Sequence, residues 1–142
     1  MNFQGLKSLF QKPELGLLII RCGAGVLLAL YGFRKFSAGE PVLRGVGSAI
    51  NSLGLDIATN SVLALFFGIM AASAELFGGV LITIGFFFRP AVVLALFTMF
   101  VAVMSKLASG GGLSDFGHPL LYALVLAGLL FTGPGRISIQ KD

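Results

Sequence analysis

The chain has 142 residues, 56% of them hydrophobic and only 11% charged, whereas an ordinary soluble domain carries about 25% charged residues. Water is therefore not the main solvent of its surface. The formal charge of +4 does not point to nucleic acid, because the Lys and Arg residues are scattered along the chain and form no basic stripe. Cys22 is the single cysteine, which excludes an intrachain disulfide and a self-contained dithiol centre and suits a small buried residue. One His and one Cys far apart give no support to a metal site. Twenty glycines and no tryptophan fit closely packed membrane helices, where small side chains let backbones approach. The length fits one compact domain covering residues 1–142.

Four apolar stretches follow in chain order, at about 14–33, 61–87, 90–106 and 115–132, each near the roughly 20 residues that cross a bilayer. The first follows Lys7 and Lys12 as a signal peptide would, but it is interrupted by Arg21 and has no small-residue cleavage site after Leu30, so it is expected to be retained. Residues 1–12 read as a surface segment. The connection over 36–60 holds Pro41 and a segment in which Val42, Val46, Ile50 and Leu53 recur at nearly helical spacing, predicting a short interfacial or re-entrant helix between the first two spans. Only Arg89-Pro90 separates the second and third spans, with Pro90 suited to the first turn of a helix, so these two form a tight antiparallel hairpin. Ser109-Gly110-Gly111-Gly112 reads as a loop, and Gly133-Pro134-Gly135 ends the fourth span. The fold class expected is an all-α integral membrane protein, an antiparallel bundle of four transmembrane helices. Both termini then share one side, with Lys7, Lys12, Arg89, Arg136 and Lys141 facing Arg34, Lys35, Arg44 and Lys106 across the membrane. The acidic Glu40, Asp56 and Asp115 lie opposite, which favours cytoplasmic termini.

Arg21, Gly25, Leu28, Gly32 and Lys35 fall on one face of the first span, Gly68, Ala72, Glu75 and Gly79 on one face of the second, and Ala91, Ala95, Thr98, Ala102 and Ser105 on one face of the third. For the small residues alone, close helix packing is the favoured explanation. Glu75 and Arg21 differ, because a charge at membrane depth costs about 2.5–3.5 kcal/mol even on the gentlest insertion scale. Either the two share an ion pair or hydrogen-bond network and form the chemical centre, or Arg21 snorkels to the interface while Glu75 keeps its proton. Tyr31, Lys35, Lys106, Asp115 and His118 are expected near the outer ends of the spans, where they can act as interface anchors, bind a polar headgroup or relay protons.

Leu18-Ile19-Ile20-Arg21, Tyr31-Gly32-Phe33-Arg34-Lys35-Phe36, Ala74-Glu75-Leu76-Phe77-Gly78-Gly79 with Gly85, and Thr132-Gly133-Pro134-Gly135-Arg136-Ile137-Ser138 together resemble the DoxX family of bacterial membrane proteins, over about 17–139. The family pattern has a histidine where this chain has Tyr31 and an Asp where it has Gln140. The resemblance implies a four-helix protein of the bacterial cytoplasmic (inner) membrane linked to redox or sulfur metabolism, with relatives acting as thiosulfate:quinone oxidoreductase subunits or as membrane partners of detoxifying enzymes.

Three functions remain open on the sequence. One is a membrane component of an oxidoreductase system that binds a quinone or similar amphiphile, with Arg21, Glu75, Tyr31 and Lys35 around its head. It would hold no covalently bound cofactor, and with no cysteine pair and no dinucleotide motif it would take electrons from a redox partner enzyme. The second is a non-enzymatic binder or transporter of an ion, metabolite or lipid, which discontinuous helices would favour. The third is a scaffold that recruits an enzyme to the bilayer. Glycine-rich faces also suit a homo-oligomer.

Overall fold

A computed structural model describes residues 12–140; the expected surface segment at the N-terminus, with Lys7, and Lys141 at the other end lie outside the described residues. The described chain is all-helical. Helix α1 runs Pro13–Ser37, the short α2 Glu40–Ser48 with a 3-10 turn at Ala49–Leu53, α3 Ser61–Ile84, α4 Phe88–Ala108 and α5 Leu113–Thr132. The four long helices are each long and apolar enough to cross a membrane.

Local chemistry accounts for the boundaries. Pro13 occupies the first turn of α1, where its missing N–H costs nothing, and Arg34 and Lys35 sit in the last turn, against the negative end of the helix dipole. Asn60 caps α3, its side-chain oxygen accepting from the N–H groups of Val62 and Leu63 at 3.1 and 2.9 Å. Gly85 ends α3 with φ 71°, a left-handed conformation that a side chain disfavours. Chain reversal therefore happens at 85–87, and Arg89 and Pro90 already belong to the first turn of α4. The tight hairpin forms, but slightly earlier than the Arg89-Pro90 pair suggests. Helix α5 starts at Leu113, where the Asp115 carboxylate accepts from the Gly112 N–H at 3.0 Å. Pro119 lies inside α5, leaving the Asp115 carbonyl without its usual helical donor.

The long helices form a row in which α3 packs against α1 and α4, and α4 against α5, while α1 and α5 meet only lightly. Leu28, Ile82, Val92 and Leu126 are fully buried along it. The α1–α3 seam is made by glycine. A Cβ on Gly32 would lie 2.7 Å from the Ala72 carbonyl oxygen, and one on Gly79 would lie 2.5 Å from that of Gly25. Helix α2 uses the same device against the first half of α3, where a Cβ on Gly47 would strike the Ala64 carbonyl and one on Gly68 that of Leu43. The glycine stripes are thus backbone-to-backbone seams, as close packing predicts.

The pairing of positions also fixes how α1 and α2 are arranged. Gly25 meets α3 near Gly79, Gly32 meets it near Ala72, and Gly47 of α2 meets it at Ala64. Helix α2 therefore continues the antiparallel track of α1 along α3, and the two are halves of a helix broken at Ala38 and Gly39. Gly39 has φ 89°, which makes the break possible. Arg44 holds the second half in place by donating to the carbonyl and hydroxyl oxygens of Ser61 and to Glu40.

The seam gives a direct test. Gly47→Ala should cost about 1–3 kcal/mol through overpacking. Gly45→Ala, where a Cβ meets nothing within 4 Å, should instead be neutral or add up to about 1 kcal/mol, because alanine suits a helix better than glycine. In the same lipid or detergent, thermal unfolding should move down for Gly47→Ala and stay unchanged or move up for Gly45→Ala.

Candidate functional site

Glu75 is buried, with 2% of its surface exposed, and its partner is Lys35. The Lys35 ammonium donates to both carboxylate oxygens, at 2.5 Å to Oε1 and 2.6 Å to Oε2. The direction in which helical side chains lean explains the choice. Every Cα–Cβ bond tilts toward the N-terminus of its own helix. In the antiparallel α1–α3 pair, Lys35 leans back along α1 toward the middle of the bundle, and Glu75 leans along α3 to meet it.

Arg21 leans the same way along α1, but from its place near the start of the helix that direction leads away from Glu75, so the expected Arg21–Glu75 partnership does not form. Its guanidinium lies beside Gly85, nearly three turns after Glu75 on α3, about 15 Å of axial rise. There Nη1 donates to the Pro134 carbonyl and Nη2 to the Ile137 carbonyl, the latter at 2.6 Å. Arg21 is 3% exposed, and among the described residues its Nε has no hydrogen-bond partner. It is neither snorkelling into solvent nor part of a centre with Glu75. It clamps the segment after α5, which is also stitched down by Ile139 N–H to Ile84 O at 3.3 Å, Gln140 N–H to Gly85 O at 3.1 Å and Arg136 N–H to Glu14 Oε2 at 3.0 Å. Gln140, at the position where the family pattern has Asp, accepts the Phe87 N–H at 2.9 Å.

The Lys35–Glu75 pair lies in the wall of a partly open cavity of about 480 Å³ bordered by α2, the 3-10 turn, α3 and α4. Val46, Ile50, Phe67, Met70, Phe97 and Val101 give it apolar walls. Its other polar groups come from α4: Thr98, Ser105 and Lys106. The Thr98 hydroxyl donates to the Ala95 carbonyl at 2.8 Å, leaving its lone pairs as acceptors. The arrangement suits an elongated molecule with an apolar body and a polar end able to accept from an ammonium or exchange a proton with a carboxylate.

The residues expected together at an outer mouth are divided by the fold. Lys35 and Lys106 belong to the cavity wall. Tyr31 and His118 lie apart from it, in contact across α1 and α5, with Tyr31 Oη 3.3 Å from His118 Nε2 and ring centroids 5.3 Å apart. Asp115 serves as the cap of α5. Around α1, Tyr31 is about 100° from the seam residue Gly32 and Lys35 only about 60°, so the long lysine reaches α3 while the phenol faces α5. Tyr122 was not anticipated; its ring packs against both, 6.2 Å from Tyr31 and 5.2 Å from His118 by centroid. The i, i+4 spacing of His118 and Tyr122 on one helix is the signal that would have found it. Thr98 and Ser105 were legible only as small residues of a packing stripe.

Removing one member of the buried pair should leave the other uncompensated. Lys35→Met is expected to destabilise by about 3–5 kcal/mol, and the double variant Lys35→Met/Glu75→Leu by markedly less; a denaturation cycle in detergent measures both. Arg21→Lys should lose at least one carbonyl contact, with hydrogen exchange rising over 133–140 and not at the cavity.

The DoxX family model matches residues 16–107, which contain nearly all of α1, α2, α3, nearly all of α4 and every residue of the cavity wall. Helix α5 and the segment clamped by Arg21 lie beyond the match, so the likeness of 132–138 to the family stands on those motifs alone. No curated protein and no solved structure matches the chain. The family match covers well over half of the sequence and contains the buried pair, and on that ground the chain belongs to the DoxX family.

Proposed function

We propose that this multi-pass membrane protein is the membrane component of a quinone-linked oxidoreductase system in a bacterial inner membrane. It holds a quinone or similar amphiphile in the cavity between α2, α3 and α4. The observation that carries the reading is a bidentate Lys35–Glu75 pair set in the wall of an apolar cavity. A quinone carbonyl placed there accepts a hydrogen bond from Lys35, and Glu75 is the group able to give or take a proton as the ring changes oxidation state. Thr98 is a third polar contact on the facing helix. The chain has one cysteine and no nucleotide-binding motif, so a partner enzyme supplies or removes the electrons.

The charge balance supports cytoplasmic termini. By sequence the terminal side carries Lys7, Lys12, Arg89, Arg136 and Lys141 against Arg34, Lys35, Arg44 and Lys106 on the side of the α4–α5 loop, a slight excess in the sense of the positive-inside rule. The break between α1 and α2 favours a second reading, a non-enzymatic carrier of the same amphiphile, since discontinuous helices commonly frame transporter sites.

The test is retention of quinone. Protein purified in nanodiscs and extracted with organic solvent should release a quinone, identified by mass spectrometry. The Glu75→Gln and Lys35→Gln proteins should lose it, and Arg21→Lys should keep it. Wild-type protein without quinone, together with full cellular activity of both site variants, overturns the reading. Movement of labelled amphiphile across vesicles with no partner enzyme present selects the carrier.

A further inference from the structure

We infer that the amphiphile is acidic, carrying an anionic group at the end of the molecule away from the Lys35–Glu75 pair, and that Lys106 is the residue that selects it. The inference rests on the amphiphile reading of the cavity and adds the charge of its occupant. The cavity wall holds two ammonium groups, Lys35 and Lys106, and a single carboxylate, Glu75. Glu75 is fully engaged, both oxygens accepting from Lys35. The positive charge left over is that of Lys106. Among the described residues no carboxylate lies within ion-pair distance of it. Asp115, in the first turn of α5, accepts from the Gly112 N–H.

The position of Lys106 gives the site two polar ends. Thr98 and Lys106 are both on α4 and both in the cavity wall, two turns apart, about 12 Å along the axis. Between them the wall is Val101 and Ala102, faced by Ile50 and Val46 from the other side. One polar end is therefore the neutral Lys35–Glu75 pair with Thr98, the middle is apolar, and the other end is Lys106 with the Ser105 hydroxyl beside it. Lys106 in the last turn of α4 already suits the helix dipole. Its place in the cavity wall makes it in addition an anion partner at the rim, where a carboxylate, sulfonate or phosphate on the chain end would be held.

A matched pair of probes tests this: a 1,4-benzoquinone with a plain alkyl chain, and the same quinone whose chain ends in a carboxylate. The chain has no tryptophan, so Phe97→Trp places a single fluorophore in the cavity wall, with Leu94→Trp as a second reporter should the first not fold. Quenching is followed in phosphatidylcholine nanodiscs. The carboxylate probe should bind about fivefold more tightly than the neutral one, the order expected of a partly exposed ion pair. That preference should vanish in Lys106→Gln and reverse in Lys106→Glu, with the neutral probe binding all three proteins alike. Equal binding of the two probes to the wild-type rim, or a preference that survives Lys106→Gln, overturns the acidic occupant and leaves the amphiphile reading standing. No quenching of either reporter by either probe overturns both.

Discussion

A carboxylate held inside a bundle of apolar helices needs a cation, and the manner in which α1 meets α3 supplies one. Lys35 reaches Glu75 only because the two helices approach through Gly25, Gly32 and Gly79 with no side chain between their backbones. A larger residue in that seam would move the helices apart and lengthen the two contacts of 2.5 and 2.6 Å. The pair in turn makes the burial of Glu75 tolerable, since an isolated charge in this setting is expensive and a paired one much less so. Packing and electrostatics are in this sense one constraint, and the cavity beside the pair depends on it.

The broken helix has a related consequence. Had α1 continued straight past Ser37, a continuous wall of side chains would run along the first half of α3. The break at Gly39 instead lets α2 lie tightly on α3 through Gly47 and Gly68, and sends the following 3-10 turn across to α4. That detour borders the space lined by Val46 and Ile50 on one side and Phe97 and Val101 on the other. Asn51 fixes the end of the detour by a two-way exchange with Ala58, at 2.9 and 3.1 Å. The loop therefore forms one wall of the site and is itself held by hydrogen bonds.

Arg21 shows that depth alone does not define a functional residue. It is as buried as Glu75, yet its partners are backbone carbonyls of the segment that follows α5. Carbonyl oxygens left without donors where a helix ends are costly to bury, and a guanidinium with several donors satisfies two at once. Its role is to close the end of the bundle, at a distance from the cavity.

The apolar runs, the small-residue stripes and the rarity of charge determined the helical class, the four long helices and the seams, because bilayer length and close packing act on composition and on the 3.6-residue period. Glu75 stood out in the sequence for the same reason, as an acid on a small-residue face. The helix period places a residue on a face and at a rough depth, but it does not say which way a side chain leans relative to a neighbouring helix. Only the antiparallel arrangement of α1 and α3 decided that Lys35 would turn toward Glu75 and Arg21 away from it. In the same way, Tyr31 and Lys35 share a turn-spaced pattern in the sequence, yet they face α5 and α3 respectively. The cavity was invisible for a further reason: its walls come from α2, the 3-10 turn, α3 and α4, with Lys35 from α1, and a cavity is a property of how elements surround it, which no single segment encodes.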